Sequence, residues 1–297
     1  MSDRRAHLDT LAIGSLLVCC LLWGLNQVAA KVALGEIPPL VQAGMRSLVA
    51  AGLVGLWSWV RGIALWQRDG SLGGGLLAGT LFAVEFACIF VGLQYTSASR
   101  MVVFIYLSPF VVALGMQLIS RQERLKGSQW LGLVAAFAGV AWAFAEGFQS
   151  PRSGPLQWVG DALGVGAAVL WAGTTLVIRG SRLSQASAEK TLLYQLGVSA
   201  VLLLAAGAWK GEAWPAQLSP LGWTAFGFQA VIVTFASYLL WFWLVRQYAA
   251  TKLSASTLLT PVFGLLAGVL LLGEPMTLRL GIALAAVTLG LALVNRR

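Results

Sequence analysis

Residues 72–93 read LGGGLLAGTLFAVEFACIFVGL, a run that is apolar or small except at Thr80 and Glu85. About 20 such residues, coiled as a helix, cross the ~30 Å of hydrocarbon in a bilayer. The run is continuous and lacks the ten-residue alternation of a barrel strand, so the backbone is satisfied within a helix. Working outward, the same reading holds for residues 10–30, 40–60, 101–119 and 128–145 in one half of the chain, and for 158–178, 191–209, 221–245, 253–272 and 276–294 in the other. Ten spans in 297 residues leave no length for a soluble domain. With 58% hydrophobic residues, 10% charged and a mean hydropathy of +0.80, a water-soluble globule is excluded. The expected fold class is an all-α membrane protein of ten transmembrane helices.

The net charge of +9 would suggest nucleic acid if the basic residues shared a face, but they sit in short loops between spans, so no nucleic acid partner is expected. With the N-terminus inside, fourteen Lys and Arg fall on its side of the membrane and five on the other (Lys31, Arg100, Arg152, Lys210 and Arg279), with Arg46 inside a span. The positive-inside rule then places both termini in the cytoplasm. Cys19, Cys20 and Cys88 all lie in apolar spans, and no disulfide framework is expected. Arg4 and Arg5 ahead of the first span, with Val28-Ala29-Ala30 near its end, give it some likeness to a signal peptide. Its place in an internal repeat retains it as a helix.

Sliding the sequence over itself by 148 to 153 residues brings Trp23 onto Trp171, Lys31 onto Arg179, Tyr95 onto Tyr248, Pro109 onto Pro261 and Glu123 onto Glu274. A Ser or Thr precedes each proline (Ser108, Thr260), and a glycine follows each acidic residue by sixteen positions (Gly139, Gly290). Residues 1–150 and 151–297 are therefore expected to be two copies of a five-helix unit. Five is odd, so the second copy enters the bilayer upside down. Inverted repeats are a transporter device, because exchanging the conformations of the copies opens a central site to either side in turn. A scaffold that merely duplicated is the alternative, and it would lack an accessible centre.

Each half resembles an EamA unit of the drug/metabolite transporter superfamily. The first copy carries Trp23-Gly24, Tyr95-Thr96-Ser97-Ala98-Ser99, Ser108-Pro109 and Glu123-Arg124-Leu125; the second carries Tyr248-Ala249-Ala250, Thr260-Pro261 and Gly273-Glu274-Pro275. Two departures are that Trp171-Ala172-Gly173 splits the Trp-Gly pair and that Pro109 to Glu123 is one residue longer than Pro261 to Glu274. Length, helix number and tryptophan-rich spans are most similar to the aromatic amino acid exporters of that superfamily. The resemblance implies a secondary transporter that exports amino acids across the bacterial inner membrane by alternating access. It also implies amino acids as small-molecule substrate, the lipid bilayer as surroundings, no cofactor and no obligatory protein partner.

Ionisable groups inside a membrane cost about 2.5 to 3.5 kcal/mol each on insertion scales, so Glu85 and Arg46 need a reason. Glu85 is a candidate to meet a substrate ammonium or to carry a proton; a structural pair with Arg46, or a protonated carboxyl in a helix interface, is the plainer reading. At an offset of 153 its repeat partner is Tyr238. Phe82, Glu85 and Ile89 share one helical face, as do Thr234, Tyr238 and Trp241, and these stripes are candidate cavity lining. Aromatic packing between helices is the alternative for Phe82 and Trp241.

Trp23 and Trp171 lie deep in their spans, away from the interfacial belt that accounts for Trp57, Trp59, Trp66, Trp130, Trp158, Trp209, Trp214 and Trp223. One turn on come Asn26 and Gln27 in one copy and Thr174 and Thr175 in the other. Indole faces suit a flat or apolar side chain, and the neighbouring amides and hydroxyls suit its charged ends or, alternatively, bonds between helices. Pro109 and Pro261 release the carbonyls of Ile105 and Thr257 and should kink the fourth helix of each copy, with Tyr106 beside the first kink. Equivalent kinks in two repeats point to a transport site and a gating pivot, structural kinks being the alternative. The Gly75-x3-Gly79, Gly160-x3-Gly164 and Gly264-x3-Gly268 spacings are expected to pack helices within the bundle. Glu123 and Glu274 are expected to cap the helix that follows each.

There is no Gly-x4-Gly-Lys-Ser/Thr phosphate loop, and the only histidine is His7. ATP-driven pumping, a His-based catalytic triad, haem ligation and a zinc or other metal site are not expected, nor is an enzyme. Any drive then comes from solute gradients, protons on Glu85 among them. Export of cationic drugs or purine-like metabolites is the rival within transport; a non-transporting membrane interaction subunit is the rival outside it.

Overall fold

The structure, a computed structural model, describes residues 8–149, 154–272 and 278–295. His7, Arg152, Glu274 and the terminal arginines lie outside them, as do the side chains of Gln27 and Lys31. The helices are α1 (Thr10–Leu34), α2 (Pro39–Val60), α3 (Leu72–Gly92), α4 (Ala98–Ile105), α5 (Ser108–Ile119), α6 (Gly127–Ala143) and the single turn α7 (Glu146–Gln149) in the first half. The second half has α8 (Gln157–Gly180), α9 (Ala188–Trp209), α10 (Pro220–Gly227), a π-helical segment (Phe228–Ser237), α11 (Tyr238–Gln247), α12 (Ala250–Ser256), α13 (Leu259–Leu272) and α14 (Leu278–Asn295). Among the described residues, eight helical stretches are long and apolar enough to cross a membrane, and Gly127–Ala143 and Gly281–Asn295 are shorter apolar helices. Together they account for the ten expected passages.

Helix starts follow the local sequence. The side chains of Asp9, Ser97, Ser187 and Ser219 accept from the backbone N–H groups of Ala12, Arg100, Lys190 and Gly222, which a helix start leaves without internal acceptors. Pro39 and Pro220 open α2 and α10, where a missing N–H costs nothing. The fourth passage of each copy is broken, α4 from α5 at Tyr106 and Leu107, and α12 from α13 at Thr257 and Leu258, with Pro109 and Pro261 in the first turn of the second piece.

The eighth passage departs from its repeat partner. Where α3 is α-helical throughout, residues Phe228–Ser237 form a π-helix. Gln229 Nε2 donates to the Ala225 carbonyl at 3.3 Å and Ser237 Oγ to that of Val233 at 2.6 Å. Side chains competing in this way for carbonyls four residues back loosen the α-helical ladder. π-helical turns are rare and concentrate at functional sites.

Helix pairings repeat with the copies exchanged. α3 meets α9 as the π segment meets α2, α1 meets α13 as α8 meets α5, and α3 meets α8 as the eighth passage meets α1. α2 with α9 and α6 with α14 are their own images. Such a pattern of exchanged pairings relates the two halves by a pseudo-twofold axis. Glycines set the closest approaches: a Cβ on Gly132 would lie 2.5 Å from the Gly290 carbonyl oxygen, and one on Gly290 2.5 Å from that of Gly132. Gly75 and Gly79 receive Tyr194 and Val198, and Gly160 faces Gly92 and Thr96, so these spacings serve packing within the chain.

Candidate functional site

α1, α2, α3 and the eighth passage bring one charged and aromatic cluster together. The Trp23 indole N–H donates to Ser237 Oγ at 2.8 Å, and its ring meets Trp241 edge-on at 5.3 Å and Tyr238 at 6.0 Å. Phe82 meets Tyr238 at 6.2 Å and Phe86 at 4.9 Å. The Arg46 guanidinium stands 4.3 Å over the Phe86 ring, a cation on a π face. It acts electrostatically on the Glu85 carboxyl and on the Tyr238 hydroxyl.

Arg46 is 4% exposed and Glu85 6%. Among the described ion pairs there is none between them, and Glu85 Oε2 and Arg46 Nε are both buried with no hydrogen-bond partner. The simple structural pair anticipated for these two residues is therefore not formed.

Tyr106 anchors a second, adjoining group. It is buried at the break between α4 and α5 and packs edge-on against Trp171 at 5.9 Å. Thr260, Cys20 and Tyr238 all act on its hydroxyl electrostatically. The Thr175 and Thr174 hydroxyls turn back to the carbonyls of Trp171 at 3.4 Å and Leu170 at 3.0 Å, so their protons are committed to their own helix. Asn26 Oδ1, Thr234 Oγ1 and Thr260 Oγ1 are buried without hydrogen-bond partners.

Of the candidate lining residues, Trp23, Phe82, Glu85, Tyr238 and Trp241 thus form one cluster, and Tyr106 and Trp171 the next. Phe86 and Ser237 were not legible as members. Phe86 follows Glu85 in sequence and owes its place to Arg46, whereas Ser237 is brought opposite Trp23 across 214 residues of sequence. The rings of the first cluster pack on one another. Two cavities, of about 430 and 420 Å³, lie elsewhere: one beside Trp57, Glu189 and Trp243, the other beside Gln67, Asp69 and Lys190.

One expectation is overturned. Glu123 does not cap α6, whose start is instead served by Gln129 Oε1 accepting from the Lys126 N–H. Its carboxylate crosses to the other copy, accepts from the N–H groups of Ala250 (2.6 Å) and Thr251 (3.4 Å) at the start of α12, and pairs with Arg179 at the end of α8. Arg179 in turn donates to the Val245 carbonyl at 3.1 Å. A buried carboxylate gains more from a cation plus two N–H donors than from one helix start alone. The result is a buried crosslink joining both copies on the face where α1 begins and α14 ends.

On that same face Lys190 Nζ meets Asp69 at 2.9 Å and the Gln67 carbonyl at 2.6 Å. Hydrogen bonds from Ser71 and then Lys190 hold the Asp69 carboxyl well below the usual carboxylate range. On the opposite face Asp161 accepts from Arg100 Nε at 3.0 Å and from the Thr96 hydroxyl at 2.7 Å, and Glu36 Oε2 from the Ser219 N–H at 2.7 Å.

Comparison with known proteins follows the same outline. An uncharacterized transporter, YvbV, of Bacillus subtilis (strain 168) is 29% identical over 285 residues, covering 93% of this chain and 89% of that protein. A probable amino-acid metabolite efflux pump of Salmonella typhimurium (strain LT2) is 27% identical over 93% of this chain and 91% of its own. One crystal structure superposes with a TM-score of 0.80 over 94% of each chain at 17% identity, a likeness of fold. The EamA-like transporter family matches residues 10–145 and again residues 158–296, so nearly the whole chain is two family units. The chain belongs to the EamA-like transporter family.

Proposed function

We propose that this transporter exports amino acids, aromatic ones among them, across the bacterial inner membrane by alternating access, as a secondary transporter with both termini in the cytoplasm. Residues 1–150 and 151–297 are the units that exchange conformations. The observation that carries the reading is the cluster around Glu85 and Tyr238, in which the first copy contributes both charged side chains and the second ring surface, with Glu85 and Tyr238 at repeat-equivalent positions of a membrane interior. Intramembrane charge facing the bundle interior marks a substrate or ion path. The name of the Salmonella relative supports the substrate class.

In this reading Trp23, Phe82, Tyr238 and Trp241 give ring surface to an apolar or flat side chain, with Trp171 and Tyr106 continuing it. Asn26, Thr175 and Thr234 supply polar contacts, and the breaks at Pro109 and Pro261 are the pivots. The packed rings then describe a centre that must separate for substrate to enter. Export of cations alone is disfavoured by the Arg46 charge beside Glu85. The test is flux in proteoliposomes preloaded with phenylalanine, tryptophan or threonine. Protein-dependent efflux of at least one supports the proposal; no flux of any amino acid rejects the substrate class, and flux of a cationic dye or a purine in its place selects the rival.

A further inference from the structure

Two ionisable side chains of opposite type, the Arg46 guanidinium and the Glu85 carboxyl, are buried in one cluster without an ion pair between them. Both Arg46 and Glu85 are more than nine-tenths buried, each keeps one polar atom with no hydrogen-bond partner, and no ion pair joins them. A buried ionisable group is costly to charge unless a partner of opposite charge and hydrogen bonds meet it. Here the guanidinium is held off instead, seated over the Phe86 ring at 4.3 Å and directed towards the Tyr238 hydroxyl. Phe82 and Trp23 close on Tyr238 from two other helices, so ring surface stands in the same cluster as the two ionisable groups.

Resting on the amino-acid reading above, we infer that Arg46 and Glu85 form a split receptor for a zwitterion, Arg46 taking the ligand's carboxylate and Glu85 its ammonium. A planar guanidinium with several donors suits a carboxylate. A carboxylate acceptor suits an ammonium, which carries three donors. A ligand bearing both groups neutralises both buried charges at once. A ligand bearing only one leaves the other charge buried and uncompensated, so a site of this kind rejects amines and acids that share the same side chain.

The experiment measures equilibrium binding to the full chain in lipid nanodiscs with three probes: L-phenylalanine, phenethylamine, which lacks the carboxylate, and 3-phenylpropionate, which lacks the ammonium. Phenylalanine is expected to bind at least about tenfold tighter than either analogue, since a hydrogen bond to a charged group is worth about 1.5 to 3 kcal/mol, or roughly tenfold or more in affinity. Arg46→Gln should weaken phenylalanine while leaving phenethylamine within about threefold of its wild-type affinity, and Glu85→Gln should do the same with 3-phenylpropionate. Wild-type protein that binds phenethylamine as tightly as phenylalanine overturns the inference without any variant and leaves amino-acid export standing if flux is seen. Equal weakening of phenylalanine and phenethylamine by Arg46→Gln overturns it as well. Failure of wild type to bind any of the three, together with absence of amino-acid flux, removes the export reading and this inference with it.

Discussion

Removing either partner of the Glu123–Arg179 pair should cost the protein more than half of what removing both costs. Glu123 is 8% exposed and Arg179 6%, so each variant takes the opposite charge away from a buried one. Breaking a buried pair from one side costs about 3 to 5 kcal/mol. In Arg179→Ala the carboxylate keeps the Ala250 and Thr251 N–H groups, which places the loss near the lower end, about 3 kcal/mol. Glu123→Ala removes the carboxylate that pairs with the guanidinium and also strips the first turn of α12 of its acceptor, itself worth about 1 kcal/mol, for a total of about 4 to 5 kcal/mol. The double variant removes both charges together, so its loss should fall short of the sum by a coupling of about 2 to 3 kcal/mol. The assay is thermal unfolding of the four proteins in one detergent. At about 2 °C per kcal/mol for a chain of this size, single variants should melt roughly 6 to 10 °C lower, with the double variant no more than about 2 °C below Glu123→Ala. Additive drops in Tm, with coupling within about 1 °C of zero, would refute the reasoning.

A methyl group at Gly132 would sit 2.5 Å from the Gly290 carbonyl and force α6 from α14, so Gly132→Ala should lose about 1 to 3 kcal/mol by overpacking. Gly14→Ala, with nothing within 4 Å, should be neutral or slightly stabilising by virtue of helix propensity, and melting curves compare the two directly. The Asp69 carboxyl titrates below its ordinary value, so its contribution is present above the unfolded value of about 3.9 and is lost only as pH falls through the lower folded one. The stability difference between wild type and Asp69→Asn should therefore be constant from neutral pH to about pH 5 and shrink only in stronger acid. A difference that already collapses between pH 6 and about pH 5 would show that Ser71 and Lys190 do not hold this carboxyl.

Apolar run length was enough to find the passages, because a helix satisfies its own backbone and needs no information from elsewhere in the chain. The offset of Trp23 to Trp171 and of Pro109 to Pro261 showed the duplication that the two family matches repeat. Even the breaks of α4 from α5 and of α12 from α13 were visible, since a missing N–H is a property of the proline itself. What only the tertiary structure decided are contacts across sequence separations such as the 127 residues between Glu123 and Ala250. Glu123 looked like a local cap and proved to be a link between copies. Arg46 looked like a simple partner for Glu85 and proved to be held apart from it over Phe86. Ser237 carried no signal at all, because a π-helical register places it. Charges and donors choose their partners by proximity and desolvation, and both are set by how ten helices pack rather than by any stretch of sequence read alone.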